Sequence, residues 1–213
     1  GGATVTSGQW RQREGRVSIQ KWDGSSWRDA TWAGLSTDSA GAPLGSPTEG
    51  RFSGHTFVMD GGVGTVDVAD GSAHIAWDGD VTVLYYSGMS FFYLTDPVVE
   101  VVGGVGTLTA TVQGYASSLT DPTSWAPVDP AVVTVADLSA VDLGDERGFT
   151  ARPTYDGSFP ADFVAYMDRL GTRAFWQESG GATDAFKEPL PLTVSYDAAS
   201  AVPQLTPSTR PTP

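Results

Sequence analysis

His74 to Val102 reads HIAWDGDVTVLYYSGMSFFYLTDPVVEVV, and it is the longest run of strand-forming residues in the chain. Positions 81 to 86 are largely apolar on both faces of an extended chain, because side chains alternate with period two. A strand of this kind belongs inside a sandwich or barrel. Asp78-Gly79, Gly88 and a predicted turn at Asp96-Pro97 interrupt the run, which predicts up to four strand segments that end with Val98 to Val102.

The composition fits one turn-rich β domain. The 213 residues are 40% hydrophobic and 11% aromatic, which predicts a folded chain, and 26 glycines with 14 prolines argue against long helices. We expect a single all-β domain over residues 1–197, an antiparallel β-sandwich or flattened barrel with one short amphipathic α-helix. Residues 198–213 are rich in Pro and Thr and predict a linker or tail.

Charge and cysteine content exclude several classes of partner. The net charge of -13 repels phosphate backbones and anionic membrane surfaces, so we expect no nucleic acid. No apolar run approaches the roughly 18 residues that cross a bilayer, so we expect no membrane insertion in this segment. The absence of cysteine excludes disulfides and thiolate metal sites.

The other elements follow from alternation and turn residues. The predicted strands are 16–22, 27–32, 55–59, 64–68, 106–115, 132–138, 174–176 and 190–196, with 55–59 and 64–68 in a meander. Residues 117–130, including Trp125, are expected to form a loop, and 141–156 an irregular connection. Residues 158–171 predict a helix with Ser158 as cap, Pro160 in the first turn and Gly171 at the end.

Catalytic chemistry has few candidate residues. His55 and His74 are the two histidines, and no nucleophile elbow, zinc or phosphate-loop motif is present. A glycosidase pair among the carboxylates stays open, because acidic spacing alone is uninformative. Aspartates near glycines favour turn chemistry over a calcium site. We expect a protein that is not an enzyme and holds no metal.

Two aromatic concentrations allow either a core or a binding role. Trp22, Trp27 and Trp32 would close one end of a sandwich if buried, or contact a glycan or a partner if exposed. The run around Tyr85, Tyr86 and Met89 has the composition of a β core, while a tyrosinate is also a known type of haem-iron ligand.

The chain resembles the HtaA-type domain of actinobacterial cell-surface proteins in several segments, GSAHIAWDGDVTVLYYSGMSFFYLTDPVVEV, GVGTLTATVQGY, VVTVADL, GSFPADFVAYMDRLG and FWQESGGATDAFKEPLPLTVSY. The resemblance spans Gly15 to Tyr196. It implies an extracellular β domain associated with the cell wall, with haem binding in the best-known members. Those members share a Ser-Phe-Arg-x-Tyr segment, absent here, and a Gly-His-x-Gly segment, where this chain places Tyr86 in the position of the histidine.

Two kinds of non-catalytic surface module are therefore expected. In a ligand-capture module, haem is the leading ligand and Tyr86, Tyr85, Met89 and His55 are the candidate contacts. In a structural or adhesive module, an open sheet edge pairs with other surface proteins or with copies of this chain.

Overall fold

The computed structural model describes residues 5–45, 51–85, 88–117, 125–197, 199 and 201–202. Their strands and helix confirm the predicted all-β class with one short helix. The elements are β1 Arg13–Glu14, β2 Val17–Trp22, β3 Trp27–Asp29, β4 His55–Met59, β5 Val63–Asp67, β6 Ser72–Ala76, β7 Asp80–Tyr85, β8 Ser90–Val102, β9 Val105–Ser117, β10 Trp125–Leu138, β11 Gly148–Ala151, α1 Ala161–Arg169 and β12 Leu192–Ser195.

The first sheet is built around β2. Along one side of β2, its start pairs with β1 and its end with β3, and β4 pairs along the other side, all antiparallel. The β2–β3 hairpin turns where Asp23 accepts hydrogen bonds from the backbone of Ser25 and Ser26, as the Asp23-Gly24 pair predicts. Val17 and Ile19 of β2 are buried in the core.

The second sheet is built around β8. Its order is β10-β9-β8-β6-β5, with β7 pairing with the first half of β8 and β6 with the second half. β9 follows the opposite side of β8, and all these pairs are antiparallel. Neither sheet closes on itself, so the open sandwich is the correct form of the two that the sequence allows.

The predicted turn at Asp96-Pro97 is wrong, because both residues lie inside the 13-residue strand β8. They form a bulge at which the register against β9 shifts. The bulge separates the half of β8 that pairs with β7 from the half that pairs with β6. Gly79, in the connection between β6 and β7, makes two hydrogen bonds to Asp96. The Gly79 N–H donates to Asp96 Oδ1, and the Asp96 N–H donates to the Gly79 carbonyl, each at 2.9 Å.

The predicted meander of β4 and β5 is also wrong. Both strands exist, but β4 pairs with β2 in the first sheet and β5 with β6 in the second. The Asp60 N–H donates to the carbonyl of Arg16 at 2.9 Å, which extends the β4 ladder before the chain leaves the first sheet. The glycine-rich connection at 60–62 therefore passes between sheets and does not form a hairpin.

The loop predicted at Trp125 is wrong, because the prolines that suggested it lie within a strand. This residue begins β10, which also contains Pro127 and Pro130. β10 is the outermost strand on its side of the sheet, so a missing N–H can face away from the ladder.

Two later segments differ from prediction. The stretch 141–156, expected to be irregular, contains β11, which pairs with β12. The expected strand at 174–176 is instead a 3-10 helix at Arg173–Phe175, because the Phe175 N–H donates to the carbonyl of Thr172 at 3.1 Å.

α1 confirms the predicted amphipathic helix and packs against the second sheet. Phe163 lies 4.8 Å from Trp176 and 6.3 Å from Phe92 between ring centroids. The Tyr166 hydroxyl donates to the carbonyl of Asp129 at 3.0 Å. The cap prediction is wrong, because Pro160 occupies the N-cap position and the Ser158 hydroxyl donates to the neighbouring carbonyl of Phe159.

A close backbone crossing joins the two sheets. The Arg16 N–H donates to the carbonyl of Asp78 at 2.7 Å. Gly79 has φ +143°, and a Cβ placed on it would lie 2.0 Å from the Glu14 carbonyl oxygen. Gly15 has φ +59°, and its Cβ would lie 2.5 Å from the Asp78 carbonyl oxygen. Both crossing positions thus require glycine, since no side-chain atom fits between the backbones.

We expect Gly79→Ala to lower the free energy of unfolding by about 3 kcal/mol or more, through a backbone clash added to a left-handed conformation. Gly41→Ala is the matched control, because Gly41 has φ +81° but open space around it. That control should cost about 1 kcal/mol. Urea unfolding of the two variants measures the difference, and equal losses would contradict a tight crossing.

Candidate binding surfaces

Tyr85 lies in an aromatic cluster under the second sheet. Its ring stacks on Phe175 at 4.9 Å between centroids and meets Trp176 edge-on at 6.0 Å. Burial raises the pKa of the Tyr85 hydroxyl, so the phenol stays neutral. Its own chain therefore covers the ring that the sequence offers as a ligand contact.

The other candidate ligand contacts are divided between the sheets. Met89 precedes β8 and is 45% exposed. His55 lies on β4 in the first sheet, while Tyr85 ends β7 in the second. Tyr86 falls outside the described residues, so its role stays a prediction.

Within this set, Tyr85 is not placed to bind haem iron as a tyrosinate, whereas Met89 and His55 stay predictions. An iron-binding tyrosinate needs an ionised oxygen that faces an open pocket, and the Tyr85 ring is covered and held neutral. Across the described part of the chain, no three His, Asp or Glu side chains cluster in a way that would hold a metal ion. None of the described helices is long and apolar enough to cross a bilayer.

The three candidate tryptophans form parts of two separate ring pairs. Trp22 and Trp27 meet edge-on at 5.5 Å across the β2–β3 hairpin. Trp32 meets Trp10 at 6.1 Å, and Trp10 is anchored by its indole N–H, which donates to the carbonyl of Thr82 at 3.1 Å. All four rings are half-buried and serve the packing of the first sheet at least in part.

His55 and Lys21 are directly opposite each other on β4 and β2. Lys21 Nζ donates to the carbonyl of Gly34 at 2.6 Å and to Thr37, which holds it over the 3-10 helix at Trp32–Ser36. Burial, together with the charge of Lys21, lowers the pKa of His55 to about 4. His55 Nε2 is buried, and no described group bonds to it.

An aromatic cluster that the sequence did not single out lies on the outer face of the second sheet, the face turned away from α1. Phe91 is its floor, at 6% exposure, and lies 5.7 Å from Tyr93, 5.3 Å from Tyr115 and 4.9 Å from Trp125 between centroids. The sequence could have indicated Tyr115, because it alternates in step with Thr107, Thr109 and Thr111 and so lies on the same face of β9. The sequence did not indicate Trp125, because the prolines around it predict a loop.

Arg11 closes one side of this cluster. Its guanidinium lies 4.4 Å from the centroid of Tyr93 and bonds Asp80 Oδ2 at 2.6 Å. Burial raises the pKa of Asp80 despite the nearby Arg11, and Asp80 Oδ1 is buried with no hydrogen-bond partner among the described residues.

The comparisons with known proteins give a distant structural likeness. No family model and no curated protein matches it. A solved structure similar to it is the C-terminal domain of HtaA from Corynebacterium glutamicum, as a domain-swapped dimer of a histidine-to-alanine variant. The TM-score is 0.44 and the identity 16%, over 66% of this chain and 73% of that chain. This likeness is too distant to establish a family.

The depressed pKa of His55 predicts a loss of stability in acid. The unfolded chain binds a proton at His55 below its ordinary pKa of 6.5, while the folded chain resists it until about pH 4. Stability is therefore full above pH 6.5 and falls as the pH drops towards 4. We expect the parent to lose about 1 to 2 kcal/mol more than His55→Gln over this range, after allowance for partial exposure.

Urea unfolding at a series of pH values measures this difference. His74→Gln is the matched control, because it removes an exposed imidazole that faces Glu100 at 3.1 Å. The acid loss should persist in this control. An identical pH profile for the parent and His55→Gln would contradict the buried, neutral state of His55.

Proposed function

We propose that the chain is a non-catalytic, extracellular cell-surface module that associates with a second copy of itself through β4. The observation that carries this proposal is the open side of β4, which pairs with β2 alone within the described residues. The Pro- and Thr-rich composition after residue 198 supports a surface location, since such segments serve as extended linkers.

The hydrogen bonds between β4 and β2 define which backbone groups of β4 face away from the sheet. Trp22 N–H donates to the carbonyl of Gly54, and Asp60 N–H donates to the carbonyl of Arg16. Because bonding alternates along an antiparallel strand, the even-numbered residues 54–60 face β2. The N–H and C=O groups of His55, Phe57 and Met59 therefore point away from the sheet.

β4 lacks the features that usually prevent edge pairing. Its sequence, HTFVM, contains no proline, glycine, lysine or acidic residue, and Phe57 is 44% exposed. The open side of β5 is a poorer template, because Gly64 weakens that strand and Asp67 ends it with a negative charge. Compared with β5, β4 is the better suited to accept another strand.

A second copy is a geometrically suitable partner. Two antiparallel β4 strands related by a two-fold axis at Phe57 place this ring against its symmetry mate and His55 opposite Met59. The outward N–H and C=O groups then bond in both directions, as an isologous contact requires. The two first sheets would become one continuous sheet.

We expect Phe57→Lys to shift the protein to monomers, because it places a charge at the centre of the paired edge. Sedimentation velocity over a concentration series measures this shift. Val63→Lys is the matched control, since it places the same charge on a 74% exposed valine of β5. Unchanged dimers in Phe57→Lys, or dimers lost only in Val63→Lys, would contradict the proposal.

Salt should strengthen the association. Each copy carries a net charge of -13, so two copies repel each other, while β4 itself contributes no acidic side chain. Screening shortens this repulsion to about 8 Å at physiological ionic strength and about 3 Å at 1 M. Sedimentation should therefore give a dissociation constant that falls as salt rises; a constant that rises would point to an ion-paired interface elsewhere.

A further inference from the structure

The outer face of the second sheet presents an elongated surface along β9. At one end lie the aromatic rings around Phe91, in the middle a group of threonines, and at the other end an open groove between Glu100, Thr107 and Asp137. We propose that this face binds a neutral polysaccharide chain lying along β9. The proposal is independent of the β4 edge, which belongs to the other sheet.

The aromatic end supplies ring faces for sugars. Tyr115 and Trp125 are half-buried and tilted 39° to each other, with centroids 6.1 Å apart. Aromatic faces carry partial negative charge, and the C–H groups on the face of a sugar ring carry partial positive charge, so the two pack together. Arg11 and Gln113, both exposed beside these rings, are placed to bond sugar hydroxyls.

The middle of the face supplies hydroxyl groups. Thr107, Thr109 and Thr111 alternate along β9, while Leu108, Ala110 and Val112 face the core. Thr111 is directly opposite Thr95 on β8, and Thr109 is opposite Thr134 on β10. Val132 on the same face is 71% exposed, which shows that this face is open to solvent. Hydroxyls both donate and accept hydrogen bonds, as polyhydroxyl ligands require.

The far end supplies acceptors in a concave setting. The groove has a volume of about 390 Å³ and includes the side chains of Glu100 and Asp137 on either side of Thr107. Carboxylates accept hydrogen bonds from sugar hydroxyls, often two at once.

The length of the face favours a polymer over a compact ligand. From Tyr115 to Thr107 it extends about 27 Å, at about 3.4 Å per residue. The net charge of -13 opposes nucleic acids and polyuronates, which leaves neutral glycan chains as the favoured polymer.

Affinity electrophoresis tests the proposal with the whole chain, which migrates as an anion. Native gels contain a neutral β-glucan, a galactomannan or an arabinan, with a polyuronate for comparison. We expect at least one neutral polymer to retard the protein and the polyuronate to have no effect. Trp125→Ala and Tyr115→Ala should each raise the dissociation constant derived from the retardation by about ten-fold.

Thr109→Glu guards against misfolding of the aromatic variants, because it adds a charge at the centre of the face and removes no ring. It should also weaken retardation. Val68→Ala is the control, since this 56% exposed valine lies beyond β5 and should leave retardation unchanged. The proposal is overturned if no neutral polymer retards the protein, if the three variants bind like the parent, or if folded Trp125→Ala loses self-association instead.

Discussion

The backbone crossing at Gly15 and Gly79 is the contact on which the arrangement of the two sheets depends. Beyond it, the segment before β1 continues along the free side of β7, where the Thr82 N–H donates to the carbonyl of Arg11 and the Arg11 N–H donates to the Thr82 hydroxyl. This segment thus covers the free side of β7 at Thr82. On the other side of β2, β4 keeps an edge that no described strand covers.

Alternation in the sequence predicts the elements better than their partners. β2, β6, β7, β9 and α1 follow from the local pattern of apolar residues and from turn residues. The bulge at Asp96 could not be predicted, since it depends on Gly79, which is 17 residues away in the chain. The separation of β4 from β5 depends likewise on the non-local bond between Asp60 and Arg16.

The candidate sites show the same limit. Aromatic content identified Tyr85 and the tryptophans near the start of the chain as candidate contacts. Whether these rings are exposed depends on which other parts of the chain cover them. Phe175 covers Tyr85, although the sequence places the two in separate elements. Trp125 reaches the outer face because β10 pairs with β9 even though its two prolines locally predict a loop; Pro127 is opposite Tyr115, and Pro130 lies in a register shift.

The two proposals use different physical features of one scaffold. Association through β4 depends on unpaired backbone groups and needs few specific side chains, so it follows from the sheet topology. Glycan binding depends on particular rings and hydroxyls spaced by the strand repeat. Because the first feature lies on one sheet and the second on the other, the same chain could use both at once.

Residue-resolved amide hydrogen exchange across a concentration series tests association through β4 most directly. In dilute protein, the amides of Thr56 and Val58 should be protected by β2, while those of His55, Phe57 and Met59 exchange fast. At higher concentration, these three should become protected together as the dimer forms. Continued fast exchange of all three in a sample that sedimentation shows to be dimeric would contradict β4 as the interface.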